Sequence, residues 1–79
     1  STPPVYPAAA KASHIQGKVV LNLNISDKGL VAAAKAISGP PFLRQAAVDA
    51  VKRWKYAPAQ LDGRPVATQA TVDVEFRLN

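Results

Sequence analysis

Residues 66–78, VATQATVDVEFRL, alternate without interruption. Val66, Thr68, Ala70, Val72, Val74, Phe76 and Leu78 fall on one side; Ala67, Gln69, Thr71, Asp73, Glu75 and Arg77 fall on the other. Successive side chains of a strand leave on opposite faces, so this pattern predicts a strand with one face on a core and one in water. The rest of the chain has to supply what covers the apolar side.

Working back from that strand, Leu61-Asp62-Gly63-Arg64-Pro65 has the chemistry of a turn. Before it the period becomes helical. From Phe42, the residues Leu43, Ala46, Ala47, Ala50, Val51 and Trp54 lie within one arc of a helical wheel, with Arg44, Gln45, Asp49 and Lys52 opposite. Gly39-Pro40-Pro41 marks the start, since proline is tolerated in a first turn, and Pro58 stops any continuation. The alanines allow close approach to a sheet, while Leu43 and Trp54 fill the ends. Asp49 and Arg53 stand four residues apart, a spacing that adds about 0.3 kcal/mol when exposed.

That wheel decides how residues 51–58, VKRWKYAP, are read. Aromatics interleaved with cations are what a single-stranded nucleic-acid platform needs, provided the rings are exposed. Here Trp54 lines up with Leu43, Ala47 and Ala50, so its ring is expected on the sheet, and nucleic acid is not expected as a partner. Lys52, Arg53 and Lys55 then complement the negative end of the helix.

Further upstream, residues 18–25, KVVLNLNI, form a strand with Val19, Leu21, Leu23 and Ile25 on one side. Ser26-Asp27-Lys28-Gly29 is a turn in which Gly29 supplies a positive φ. Residues 30–37 return as a second strand, in which Val31, Ala34 and Ala36 share a face only if a bulge intervenes. Pro7 suits a first helical position, so residues 7–12 read as a short helix.

The order helix–strand–strand–helix–strand is restrictive. The second helix is a crossover, which makes the last strand parallel to the second and places it beside the first. The fold class is therefore α+β: a three-stranded antiparallel sheet, order 2-1-3, with two helices on one face. The longest strand sits at an edge with unpaired main-chain groups.

Seventy-nine residues make one domain, with residues 1–5 as the end of a Pro-rich linker and 6–79 as the folded unit. The absence of cysteine excludes disulfides and thiolate chemistry. Ten Lys and Arg against five Asp and Glu give a net charge of +5, spread along the chain as a basic surface. Catalysis is not expected. His14 is the single histidine with no acid nearby in sequence, and Asp73 and Glu75 share a wet strand face where nothing separates their pKa values. No nucleotide-binding or hydrolase motif occurs, and no metal or cofactor is expected.

The ordered set YPAAA, IQGKVVLNLNI, DKGLV, SGPPFLRQAAVDAVKRWKYAP and DGRPVATQATVDVEFRL resembles the C-terminal domain of TonB proteins. The resemblance runs over residues 4–78 and includes Tyr6-Pro7, Gly17, Asp27 and Gly29, Ser38-Gly39, Ala46-Ala47, Trp54-x-Tyr56-x-Pro58 and the closing V-x-V-x-F-x-L. It implies a periplasmic domain of a protein anchored in the inner membrane of a Gram-negative bacterium. It further implies an adaptor that works with ExbB and ExbD through N-terminal regions. Such an adaptor grips the TonB box of outer-membrane transporters and transmits energy from the proton-motive force for uptake of siderophores and similar cargo. A TolA-like or other envelope domain that binds proteins or peptidoglycan is the alternative, and a basic nucleic-acid-binding module is a third reading that ranks below both.

An extended peptide can add to an open strand through main-chain hydrogen bonds, tolerating varied sequence. Bonds loaded side by side along a strand would also resist a pull. The expected pairing strand is Val72, Asp73, Val74, Glu75, Phe76 and Arg77. The segment Pro4, Val5 and Tyr6 is a second expected contact, although the glutamine that some relatives use near this point is replaced here by Pro3, Pro4 and Val5. The same edge permits self-pairing into a homodimer.

Overall fold

The chain folds as α1 (Ala8–Ala12), β1 (Gly17–Ile25), β2 (Val31–Ser38), α2 (Pro41–Val51), β3 (Ala59–Leu61), β4 (Arg64–Val66) and β5 (Thr68–Phe76). This is a computed structural model that describes residues 3–79; Ser1 and Thr2, part of the expected linker, lie outside the described residues. The main sheet has the order β2-β1-β5, and β1 is antiparallel to both neighbours. β2 and β5 therefore run parallel to each other, as a crossover through α2 demands. The expected architecture holds, with one addition. The turn at Asp62-Gly63 closes a separate two-stranded ribbon, β3–β4. Asp62 (φ 52°) and Gly63 (φ 77°) both adopt the left-handed conformation, which suits a two-residue hairpin loop.

The core follows the two periodicities. Val19, Leu21, Leu23 and Ile25 of β1 are buried, as are Val74 and Phe76 of β5. Leu43, Ala47 and Val51 of α2 and Ala10 of α1 cover them, while Ala50 is buried outside this cluster, where it lines a groove with Val5 and Pro7. Each fully buried Leu or Phe contributes about 1.5–3 kcal/mol through removal of apolar surface from water. The bulge expected in the second strand is present: Asn24 pairs with Ala33 but Ile25 with Val31, leaving Ala32 extra. Val31, Ala34 and Ala36 consequently all pack against the core.

Local details differ from the sequence reading in several places, among them the last strand, which is Thr68–Phe76 with Val66 in β4. The first helix begins at Ala8, with Pro7 as its extended N-cap. α2 ends at Val51, well before Pro58. The cause is tertiary: Lys55 bridges to Leu30, and the Tyr56 N–H donates to the Gly29 carbonyl at 2.9 Å, pulling the chain off the helix axis. Trp54 accordingly lies beyond the helix, half-buried, yet packs with Tyr56 on the core as expected. The Asp49–Arg53 pair does not form; Asp49 Oδ1 instead accepts from Gln45 Nε2 at 2.9 Å, because Arg53 lies past the last helical turn. Arg44, placed on the wet side of the wheel, folds back so that its Nε donates to the Gly39 carbonyl at 2.9 Å.

Candidate functional site

β5 is the last strand on its side of the sheet. Its register with β1 is unbroken from Ile25↔Thr68 to Gly17↔Phe76. An unbroken register keeps the outer edge straight over nine residues, whereas β2 on the opposite edge is irregular at two places. Among the described residues, no main-chain hydrogen bond outside the strands involves residues 68–77. The outward N–H and C=O groups of β5 are thus free to pair.

The helices are not centred over β5. α2 packs on β2 and β1, and burial along the inner side of β5 falls off from Phe76 and Val74 to half-exposed Val72 and Ala70, then to exposed Thr68. Pairing at residues 70–73 would bring a partner's inward side chains over this partly uncovered apolar strip. Residues 74–76 offer main chain only, since Val74 and Phe76 bury their side chains.

The outer side chains are charged. Lys18 Nζ stands 3.8 Å from Asp73 Oδ2 across the sheet. Arg77 Nε donates to Glu75 Oε2 at 3.0 Å, and its Nη2 to Glu75 Oε1 at 3.3 Å. That hydrogen bond, then the guanidinium charge, hold the Glu75 carboxyl below its usual range and raise Arg77 above its own. Arg77 was expected in the pairing strand, but β5 ends at Phe76. The next residues leave the ladder because the Leu78 N–H donates to Gln16 Oε1 at 3.0 Å, just before β1 begins.

The N-terminal candidates meet the same strand. The Tyr6 ring stands edge-on to Phe76 with centroids 5.4 Å apart and planes at 88°, and its hydroxyl donates to the Ile15 carbonyl. Tyr6 is therefore engaged in holding the segment down. Val5 is exposed, and with Pro3, Pro7, Phe42 and Ala46 it lines a groove of about 370 Å³ beside α2. Pro4 is half-buried. The sequence reading missed the uncovered strip at Ala70. The signal available was the decline in size along the inner face, from Phe76 and Val74 to Ala70 and Thr68.

The face of the sheet opposite the helices is open and polar. Asn22, Asn24, Lys35, Gln69 and Thr71 border a shallow depression of about 680 Å³, floored by small Ala33. Among the described residues, no three His, Cys, Asp or Glu side chains come together.

The class so defined is a small α+β domain whose three-stranded sheet is covered by helices on one face and keeps its C-terminal strand at an open edge, a geometry that strand addition can use. Residues 2–78 match the family described as Gram-negative bacterial TonB protein C-terminal, and the chain belongs to that family. It is 34% identical over 77 residues to Protein TonB of Vibrio cholerae, covering 95% of this chain and 32% of that protein. It is also 34% identical over 79 residues to Protein TonB of Xanthomonas campestris pv. campestris, covering 98% of this chain and 35% of the relative. The chain thus spans about a third of the length of these relatives. The solution NMR structure of the Pseudomonas aeruginosa TonB C-terminal domain superposes with a TM-score of 0.77 at 29% identity, covering 96% of this chain and 79% of that one.

Proposed function

We propose that this domain is the periplasmic, non-catalytic adaptor end of a TonB-type energy transducer anchored in the inner membrane. It takes the TonB box of an outer-membrane transporter as a fourth strand on β5. Val72, Asp73, Val74, Glu75 and Phe76 supply the pairing main chain; Arg77 and the segment Pro4, Val5 and Tyr6 flank it. Residues 1–5 form the end of a linker to the regions that meet ExbB and ExbD, through which energy from the proton-motive force reaches this domain. The observation that carries this reading is the free, regular edge of β5 over the half-exposed Ala70–Val72 strip. Family membership is the second support.

The test is an NMR titration of the domain with TonB-box peptides. Amide shifts clustered on residues 70–77 are expected, with saturation. An unchanged spectrum at millimolar peptide would overturn the reading. Self-pairing uses the same edge, so a homodimer formed there should dissociate as peptide is added; sedimentation velocity with and without peptide follows that directly.

A further inference from the structure

The end of the molecule remote from Tyr6 and Phe76 has a composition that strand addition does not use. Three segments meet there: the β1–β2 turn, the chain from α2 to β3, and the β3–β4 ribbon. The first two are tied by the Leu30↔Lys55 bridge and by the Tyr56 N–H on the Gly29 carbonyl, and the ribbon leads into Ala67 and Thr68, which border the same hollow as Ser26 and Asp27. Residues 26–30 and 52–66 carry five cations, Lys28, Lys52, Arg53, Lys55 and Arg64, against two carboxylates, Asp27 and Asp62. None of these cations forms an ion pair among the described residues.

Two large apolar side chains are exposed at this end, Leu30 at 47% and Leu61 at 65%. Each stands directly opposite a cation across an antiparallel pair: Leu30↔Lys55 and Leu61↔Arg64. Opposed residues share a face, so each leucine projects beside a long cationic side chain. Leu61 and Arg64 flank the two-residue tip of the ribbon, where neither contributes to the core.

A leucine beside a cation whose stem can lie along it is the chemistry of a lipid–water boundary. The apolar group enters the acyl region, and the charged head stays among phosphates. We infer that this tip docks on an anionic lipid surface, with Leu30 and Leu61 inserted and Lys28, Lys52, Arg53, Lys55 and Arg64 paired to headgroup phosphates. A soluble polyanion would use the cations and leave the leucines idle, which is why a bilayer is the occupant that fits both. The inference is independent of peptide pairing, which uses the main chain at residues 70–77.

Co-sedimentation of the domain with phosphatidylglycerol–phosphatidylcholine vesicles tests it. Binding is expected there and not to pure phosphatidylcholine vesicles. Lys55→Ala and Arg64→Ala should each weaken it about fivefold, the fold-change corresponding to one cation near an anionic surface. Leu61→Ser should weaken it roughly tenfold, since an exposed leucine is lost without touching the core. The amide spectrum of β1 and β5 should be unchanged in all three variants, which certifies that they fold. Absent binding, or binding that Leu61→Ser leaves intact and soluble polyphosphate abolishes, would overturn the assignment to lipid.

Discussion

At the scale of single residues, two glycines with similar backbone angles have different reasons for being glycine. Gly29 has φ 80° and Gly63 φ 77°, both in the left-handed region. A Cβ at Gly29 would lie 1.9 Å from the Tyr56 carbonyl oxygen, whereas one at Gly63 would meet nothing within 4 Å. Gly63→Ala should therefore cost only the conformational preference, about 1 kcal/mol. Gly29→Ala should cost more, about 3 kcal/mol, because the strand-to-loop junction must also shift. Urea denaturation of the two variants compares them directly. The charged residues of β5 offer a second measurement. Glu75 has its carboxyl lowered by Arg77, so their interaction is fully present above the ordinary glutamate value of 4.5 and is lost as pH falls through the lowered value. Carboxyl chemical shifts should show the Glu75 midpoint moving up towards 4.5 in Arg77→Ala, with no measurable change in stability because both groups are exposed.

At the scale of elements, the β3–β4 ribbon is an attachment to the domain. Gln60, Leu61, Arg64 and Pro65 are exposed, and no ribbon residue belongs to the buried cluster. Replacing residues 60–65 by a short Gly-Ser link should change stability by less than about 1 kcal/mol in denaturant titration. The same replacement should leave peptide-induced shifts on β5 intact. The ribbon also shows where sequence reading stops. The alternation at 66–78 and the apolar arc of 43–51 carry their periods openly, so β5 and α2 were legible. Three-residue strands have no period to read, and Asp62-Gly63 announces a turn without saying that its flanks will pair. The end of α2 was hidden for another reason. Nothing local stops a helix at Val51; the stop is a long-range pairing of Lys55 with Leu30. The open edge was legible through topology alone, because one crossover fixes strand order. The half-exposed strip was less so, since it depends on how far α2 sits towards β2.

At the scale of the whole molecule, the dimensions are 49 × 20 × 17 Å, and the radius of gyration of 14.0 Å exceeds the roughly 12 Å of a round domain this size. The nine-residue strands account for about 30 Å of the length, leaving the ends to project. The two ends differ in kind: one is closed by Tyr6 on Phe76, and the other carries cations and exposed leucines. Among the described residues, none of the buried side chains is polar or charged, so stability should vary little between about pH 5 and pH 9.

The register of the central strand also sets an order of assembly. β1 finds β2 across a five-residue turn, but its partners in β5 lie roughly forty to sixty residues away. The hairpin can form early, while β5 must wait until α2 has brought the chain back across the sheet. What arrives last and is covered least is expected to loosen first. Native-state hydrogen exchange should find the amides of residues 68–72 opening at a lower free energy than those of β1 paired with β2. The strand proposed to receive a partner is thus also the youngest part of the fold, and a bound peptide would slow its departure.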